Sequence, residues 1–306
     1  MSLLVVGSVA LDSVRTPFGE VEEVLGGSAT YFSTVASYFC QVQVVAVVGD
    51  DFPHEHLEFL RSRDIHLEGL SAVRGKTFRW RGEYGYDLNE AHTLETRLNV
   101  FETFEPVLPE SYRKATYVFL ANIDPELQSR VLDQVISPTM VACDTMNFWI
   151  AGKYDALRAT LKRVDLLVIN EAEARELARE PNIIRACRIV LTWGPKIVIV
   201  KRGEYGAIMV TVESIFSIPG YPLETIADPT GAGDCFAGGL MGYLANVNDW
   251  SEPALRQGII FGSAMASFNV ERFSLEGLRK LTYEQILERY EAFRRLVHFE
   301  SVPSLG

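Results

Sequence analysis

Short, uninterrupted apolar runs are the feature of this sequence that most restricts its fold. Leu3-Leu4-Val5-Val6 ends at Gly7, and residues 42–49 form a second run of the same kind. Runs of this length without polar alternation are typical of strands covered on both faces. Similar runs lie at residues 117–120, 140–143, 166–169 and 197–200, and helical spacing falls between most runs, at residues 28–39, 126–135, 154–161 and 171–178. The alternation predicts an α/β fold with a mainly parallel sheet and helices on both faces.

Two segments, residues 13–25 and 75–105, break this alternation. Neither has the stripe of apolar residues that marks a helix packed on a core. We interpret them as a small β-sheet lid that projects from one domain spanning residues 1–306.

The second of these segments contains a strictly alternating stretch over residues 78–86. Period-two alternation indicates a strand with one apolar face, and residues 98–101 are predicted to form a partner strand. The rings on the apolar face are Phe78, Trp80, Tyr84 and Tyr86. A face of this kind needs cover from the main domain, a ligand or a second subunit, so a homodimer through the lid is one expectation.

The charge balance disfavours nucleic acid as a partner. The chain has 29 Lys and Arg against 40 Asp and Glu, a formal net charge of −11, and such a surface repels phosphate backbones.

The apolar start, residues 1–10, is too short for a membrane span and lacks the basic residues of a signal peptide. The four cysteines form no CxxC pair, which fits free thiols in a reducing compartment. These features predict a cytoplasmic protein without a membrane partner.

The segment Asp228-Pro229-Thr230-Gly231-Ala232-Gly233-Asp234 carries the clearest chemical signal. It precedes an apolar helix, and its glycines allow successive N–H groups to converge on one point. Unpaired N–H groups at the start of the helix would add to this anion hole. A carboxylate beside an anion hole makes sense if the anion is a phosphoryl group in transfer and Asp234 takes a proton from the attacking hydroxyl.

The glycines of this segment do not match two common nucleotide-binding motifs. A Walker A loop needs Gly-Lys-Ser/Thr, which is absent, and a dinucleotide fingerprint needs a third glycine where Phe236 stands. In isolation, Gly-x-Gly-Asp is more often a tight turn with an Asp that favours the helix N-terminus. A dinucleotide oxidoreductase is therefore disfavoured, while a purely structural turn stays possible for the segment alone.

Across nearly its whole length the sequence resembles the ribokinase-like (PfkB) carbohydrate kinase family. The segment 228–234 resembles the second signature of that family, and five further motifs occur in the expected order. These are Val5-Val6-Gly7 with Asp12, Gly26-Gly27-Ser28, Val48-Gly49-Asp50-Asp51, Asn170-Glu171-Ala172-Glu173 and Lys201-Arg202-Gly203. The resemblance implies a Rossmann-like α/β domain with a β-sheet lid, and an ATP-dependent kinase that phosphorylates a hydroxymethyl group.

The resemblance also implies a role for each matching residue. Asp234 would be the catalytic base, and the amides of Gly231, Ala232 and Gly233 would stabilise the phosphoryl charge. Asp12 would accept hydrogen bonds from substrate hydroxyls, and Gly26 and Gly27 would let the substrate approach the backbone. Tyr31 stands where many family members have Asn, and would bring a ring near the substrate.

The nucleotide side of the site is implied in the same way. Asn170 and Glu173 would organise Mg²⁺, with Glu173 acting through water. Taken alone, this pair equally fits a helix capping box. Lys201, Gly203 and Thr230 would contact ATP, and Asn147 is a further candidate ligand. A monovalent cation is a further cofactor that the resemblance allows.

Several functions stay open at this point. A nucleoside is expected to be preferred over a free hexose, because the lid aromatics and Tyr31 suit a stacked base. A phosphosugar kinase would instead hold a substrate phosphate with Arg79, Arg81 or Arg97. A non-catalytic nucleotide or sugar sensor is the alternative from another class, although a sensor need not keep a base beside an anion hole.

Overall fold

The computed structural model describes residues 1–300, and over that range the chain forms thirteen β-strands. In chain order they are β1 Ser2–Val6, β2 Ala10–Thr16, β3 Gly19–Gly26, β4 Gln41–Gly49, β5 Ile65–Val73, β6 Phe78–Tyr84, β7 Ala91–Arg97, β8 Tyr117–Leu120, β9 Met140–Asp144, β10 Leu166–Asn170, β11 Ile197–Lys201, β12 Ala207–Thr211 and β13 Ile215–Ile218.

Eleven α-helices alternate with these strands or follow them. They are α1 Ser28–Ala36, α2 His54–Ser62, α3 Pro125–Leu132, α4 Asn147–Gly152, α5 Tyr154–Leu161, α6 Glu171–Ala178, α7 Ile183–Leu191, α8 Ala232–Val247, α9 Glu252–Val270, α10 Glu276–Arg279 and α11 Tyr283–Leu296. None of the helices within residues 1–300 is long and apolar enough to cross a membrane.

Nine strands form the central sheet in the order β13-β12-β11-β10-β9-β8-β1-β4-β5. The seven strands from β11 to β5 pair in parallel, while β12 and β13 add an antiparallel edge. The predicted fold class is therefore confirmed, although the sequence patterns did not single out β5, β12 or β13.

Each face of the central sheet is covered by its own hydrophobic core. In β1, Leu3 and Val5 point into a core shared with α1, α8 and α9, while Leu4 and Val6 point into a core on the other face. Successive side chains of a strand alternate between faces, so an unbroken apolar run is what a doubly covered strand requires. In the first core, Phe32 stacks on Phe119 with ring centroids 4.3 Å apart.

A separate four-stranded sheet, the lid sheet, has the order β3-β2-β6-β7. Strands β2 and β6 pair in parallel, whereas β3 and β7 pair antiparallel to their neighbours. The sheet uses strands from both segments that break the α/β pattern. The division into a single domain, residues 1–306, with lid segments 13–25 and 75–105 stays a prediction. Residues 301–306 of that domain lie outside the described residues.

The predicted partner strand at residues 98–101 is wrong. The antiparallel partner of β6 is β7, Ala91–Arg97, and Asn99–Thr103 forms a 3₁₀ helix instead. Every residue of β7 is exposed, so this strand carries no apolar alternation that a sequence pattern could detect. Phe101 lies outside the sheet, and its ring stacks on Phe78, 5.3 Å away, and on Phe104.

Candidate active site

The predicted site residues meet at the carboxyl ends of the central strands. Strand β9 ends at Asp144, β10 at Asn170 and β11 at Lys201. The carboxyl ends of parallel strands share one edge of a sheet, which is the usual place for a ligand crevice in this fold class. Helix α8 begins at the same edge, since a Cβ atom on Gly233 would lie 2.8 Å from Lys201 Nζ.

Residues 228–234, here called the anion loop, turn sharply at Gly231. This glycine caps α8 in the left-handed conformation, with φ 75°, and its carbonyl accepts a hydrogen bond from the Cys235 N–H. A Cβ atom here would lie 2.4–2.5 Å from three ring atoms of Tyr31. Both the backbone conformation and the contact therefore require glycine.

The backbone N–H groups of the anion loop are not all available to a ligand. The Ala232 N–H donates to the Pro229 carbonyl over 3.1 Å, so this amide, which was expected in the anion hole, already has an acceptor within the loop. Within residues 1–300, the N–H groups of Gly231, Gly233 and Asp234 have no hydrogen-bond acceptor. These three donors lie at the positive end of the α8 dipole, which favours an anion.

Asp234 lies in the first turn of α8 and is partly exposed to the crevice. Desolvation raises the pKa of its carboxyl from 3.8 to about 7, and the nearby Asp144 adds to this, while Lys201 opposes it. A carboxyl that titrates near neutral pH, beside free N–H donors, is suited to general base catalysis.

Asp234 belongs to a cluster of four charged groups with Asp144, Glu173 and Lys201, here called the charge cluster. Lys201 Nζ donates to Asp144 Oδ2 over 3.0 Å, and both side chains are largely buried. Burial tends to lower the pKa of Lys201, but the three carboxylates outweigh it and the pKa is raised. Lys201 therefore stays charged.

Glu173 takes part in a helix capping box as well as in the charge cluster. Its Oε2 accepts from the Asn170 N–H, and Asn170 Oδ1 accepts from the Glu173 N–H, both over 2.8 Å. Burial, with a contribution from Asp144, raises the pKa of Glu173 to about 7. Within residues 1–300, no group of three or more His, Cys, Asp or Glu side chains is arranged to hold a metal ion directly.

Asp12 lies in the lid strand β2 and is almost fully buried. Its Oδ2 accepts from the Gly27 N–H over 3.3 Å, and a Cβ on Gly26 would lie 1.9 Å from this oxygen. Gly26 therefore makes room for the Asp12 carboxylate itself, whereas a Cβ on Gly27 would lie 2.6 Å from the Ser8 carbonyl oxygen. Burial raises the pKa of Asp12 to about 7, and the carboxylates of Asp228 and Asp234 contribute to the rise.

The structure corrects the prediction that Tyr31 presents its ring to a ligand. The side chain is 1% exposed and packs beneath Gly231, so neither face of the ring is free for stacking. Its buried hydroxyl has no hydrogen-bond partner among residues 1–300. Tyr31 therefore supports the anion loop from beneath.

Thr230 is held on three sides. Its N–H donates to Asp228 Oδ1 over 2.9 Å, and its carbonyl accepts from Asn269 Nδ2 over 2.8 Å. Its hydroxyl donates to the Tyr84 hydroxyl of the lid over 3.3 Å. The Thr230 side chain, which was expected to contact ATP, is thus hydrogen-bonded to the lid.

Gly203 and Asn147 also differ from expectation. Gly203 follows β11 with φ 54°, and a Cβ atom there would lie 1.7 Å from Oδ1 of Asn89 at the tip of the β6–β7 hairpin. The glycine thus lets the lid approach. Asn147 is exposed and its Oδ1 accepts from the Phe148 N–H, so it lies outside the charge cluster.

The three arginines proposed to hold a substrate phosphate are already paired with carboxylates. Arg79 contacts both Glu23 and Asp51, at 2.6 and 2.9 Å, and is mostly buried. The other two pairs are Arg81 with Glu22 at 3.9 Å and Arg97 with Glu95 at 2.8 Å. Each of the three guanidinium groups therefore already has a carboxylate partner, although Arg81 and Arg97 form their pairs at the exposed surface.

Comparison with known proteins identifies the family. The family model described as "pfkB family carbohydrate kinase" matches residues 2–278. The chain belongs to the pfkB family of carbohydrate kinases. This pfkB kinase is 32% identical over 251 residues to the cytidine kinase of Thermococcus kodakarensis, a match that covers 79% of this chain and 88% of the relative.

Two solved structures show the same fold as this pfkB kinase. The nucleoside kinase of Methanocaldococcus jannaschii superposes with a TM-score of 0.75 at 20% identity, over 95% of this chain and 98% of that one. The aminoimidazole riboside kinase of Salmonella enterica, in complex with aminoimidazole riboside and an ATP analogue, gives 0.74 at 16% identity, over 95% and 100% of the chains. The predicted enzyme class, a phosphotransferase of this family, is confirmed.

Sequence reasoning missed several residues that shape the site of this pfkB kinase. Asp144 ends a predicted strand, which is an available signal, but the prediction fell on Asn147 in the same stretch. Asn269 lies in an apolar helix, and its carboxamide contacts Thr230 across 39 residues of sequence. Only the fold brings such pairs together.

We expect Gly231→Ala to destabilise this pfkB kinase by about 2 kcal/mol or more, because a left-handed backbone and a clash with Tyr31 combine. Urea unfolding of the variant and the wild type measures the change. Gly85→Ala is the matched control, since a Cβ there meets no atom within 4 Å. Equal stability of the two variants would contradict the geometry described for the anion loop.

Proposed function

We propose that this kinase transfers the γ-phosphoryl group of ATP to the hydroxymethyl group of a nucleoside. The observation that carries the proposal is Asp234, a carboxyl with a raised pKa, beside the unpaired N–H groups of Gly231, Gly233 and its own backbone. A sensor protein would have no use for a poised base at an anion hole, so this arrangement favours catalysis.

In the proposed reaction, Asp234 accepts the proton of the acceptor hydroxyl. The hydroxyl oxygen bonds to the γ-phosphorus while the bond from that phosphorus to the ADP oxygen breaks. The N–H groups of Gly231, Gly233 and Asp234 stabilise the charge on the moving phosphoryl oxygens. The positive charge of Lys201, next to Gly233, would act on the same oxygens.

Glu173 and Asp144 are the residues that would hold Mg²⁺, through bridging waters. The donor set fits this mode, because Mg²⁺ retains much of its hydration and the structure has no cluster of direct ligands within residues 1–300. When bound, the ion would neutralise phosphate charge.

Activity should therefore be lost in excess chelator, and Glu173→Gln should raise the Mg²⁺ concentration required for activity.

Dependence on a monovalent cation stays a prediction that a K⁺ titration at fixed ATP and Mg²⁺ would test.

Support for a nucleoside acceptor comes from the lid strands β2 and β6. Asp12 pairs in register with Trp80, and directly paired residues of parallel strands share one face of a sheet. A ribose whose hydroxyls are bound by Asp12 would place its base toward the half-buried Trp80 ring. Stacking of a base on an aromatic ring contributes about 1–3 kcal/mol. The identity to a cytidine kinase supports the same class of acceptor.

A homodimer through the lid is a separate proposal. Strand β7 is an edge strand whose seven residues are all exposed, and an open strand edge offers N–H and C=O groups to another chain. Sedimentation across a range of concentrations tests this, and a monomer at every concentration would contradict it.

We expect Asp234→Asn to lower kcat by about 10²–10⁴, the range for loss of a general base, while ATP binding is retained. In the wild type, kcat/KM should rise with pH through about 7, because the base acts only when ionised. The variant should show a smaller rise, and the part that remains would reflect Asp12 and Glu173, whose pKa values are also raised to about 7. Near-normal turnover by Asp234→Asn would remove this residue from the mechanism.

For the acceptor, we expect a common nucleoside to have a higher kcat/KM than ribose, fructose or inositol. ADP release from ATP across a panel of nucleosides, sugars and sugar phosphates measures this. Trp80→Ala should raise KM for the nucleoside by about 5- to 100-fold and change KM for ribose little. Tyr86→Ala is the control, since its side chain is 90% exposed. A higher kcat/KM for a free sugar than for every nucleoside would overturn the nucleoside proposal.

A further inference from the structure

Tyr84 brings a hydroxyl from the lid sheet into the centre of the proposed site. Strand β6 carries its ring over the anion loop, where the Thr230 hydroxyl donates to the Tyr84 oxygen over 3.3 Å. Burial raises the pKa of Tyr84 to about 12, and the carboxylates of Asp228, Asp12 and Asp234 contribute. The hydroxyl therefore stays protonated. It lies near Asp12, which would bind the acceptor, and near Asp234, the proposed base.

A second lid residue contacts the chain just before the anion loop. Thr16, at the end of β2, donates from its hydroxyl to the Ala227 carbonyl over 2.9 Å, and the side chain is buried. The main domain holds Thr230 by its backbone groups, through Asp228 and Asn269. The Thr230 hydroxyl contacts Tyr84 of the lid and also interacts with the Asp228 carboxylate, while the Thr16 hydroxyl of the lid contacts Ala227.

The rest of the β6–β7 hairpin is anchored on either side of Tyr84. Near its start, Thr77 donates from its N–H and its hydroxyl to Asp51 Oδ1 over 2.7 and 2.8 Å, and its hydroxyl accepts from the Gly49 N–H. At its tip, Asn89 packs against Gly203 beyond β11. The hairpin thus reaches from the end of β4 to the end of β11 and passes over the anion loop between them.

We propose that Tyr84 is a positioning residue that couples closure of the lid to the conformation of the anion loop, with Thr16 acting alongside it. This inference rests on the proposed function. The contacts to Thr230 and Ala227 are already formed in this structure. An acceptor enclosed beneath the lid would hold these contacts in place, and they would keep the N–H groups of the loop aligned for phosphoryl transfer. The loop is then fully ordered when the acceptor is enclosed, which makes the lid part of the transfer step as well as a cover for the acceptor.

The first test is Tyr84→Phe, which keeps the ring and removes the hydroxyl. We expect kcat to fall about three- to tenfold, the size of one hydrogen bond, with KM for the acceptor changed less than about twofold. Tyr86→Phe, on the same hairpin but 90% exposed, should leave both constants unchanged. A rise in KM with kcat unchanged would place Tyr84 in acceptor binding alone and overturn the coupling.

A double-mutant cycle with Thr230→Val tests whether the contact itself carries the effect. We expect the double variant to be no slower than the slower single variant, because each single change removes the same hydrogen bond. If the wild type is active and the fold-decreases in kcat of the two single variants multiply in the double variant, the coupling through this contact is wrong while the proposed function stands. A wild-type chain that transfers no phosphoryl group to any acceptor would overturn the proposed function, and the inference with it.

Hydrogen exchange gives a reading that does not depend on turnover. With a nucleoside that the wild type phosphorylates, added without ATP, the amides of residues 227–234 should gain protection in the wild type and in Tyr86→Phe. Tyr84→Phe should lose most of that gain. Equal protection in Tyr84→Phe and the wild type would show that the lid does not order the loop through this residue.

Discussion

A single buried lysine faces three carboxylates in this site, and the chemistry proposed for the enzyme depends on that imbalance. Lys201 donates to Asp144 and lies close enough to Glu173 and Asp234 to interact with both. Isolated negative charges are costly to bury, so carboxyls in such a setting titrate at higher pH. Glu173 and Asp234 accordingly have pKa values raised to about 7, and a base is available at neutral pH.

Several elements contact the anion loop beside this cluster and hold it in place. The Tyr31 ring lies under Gly231, Asp228 and Asn269 hold the backbone of Thr230, and Tyr84 contacts the Thr230 hydroxyl from the lid. Donors fixed in place before reaction need no reorganisation as charge develops, which is the main source of electrostatic catalysis. The anion loop therefore contacts both the core of the main domain and the lid sheet.

The sequence predicted those parts of the molecule that depend on local patterns. The central strands are apolar because both faces are covered, and the anion loop follows from its glycines. Strand β7 was missed because all of its residues are exposed, so no pattern marks it. Asp144 and Tyr31 could not be placed, because their roles depend on contacts across the fold. The glycine pattern also did not reveal that the Ala232 N–H donates to Pro229 in a local turn.

The most direct test of this account is the titration of Asp234 in the ligand-free enzyme. Carboxyl ¹³C NMR of aspartate-labelled protein would follow each side chain with pH, and the resonance missing from Asp234→Asn would give the assignment. The account predicts a pKa of about 7 for Asp234. A pKa near the ordinary value of 3.8 would contradict it, because the carboxyl would then be neither desolvated nor poised to accept a proton near neutral pH.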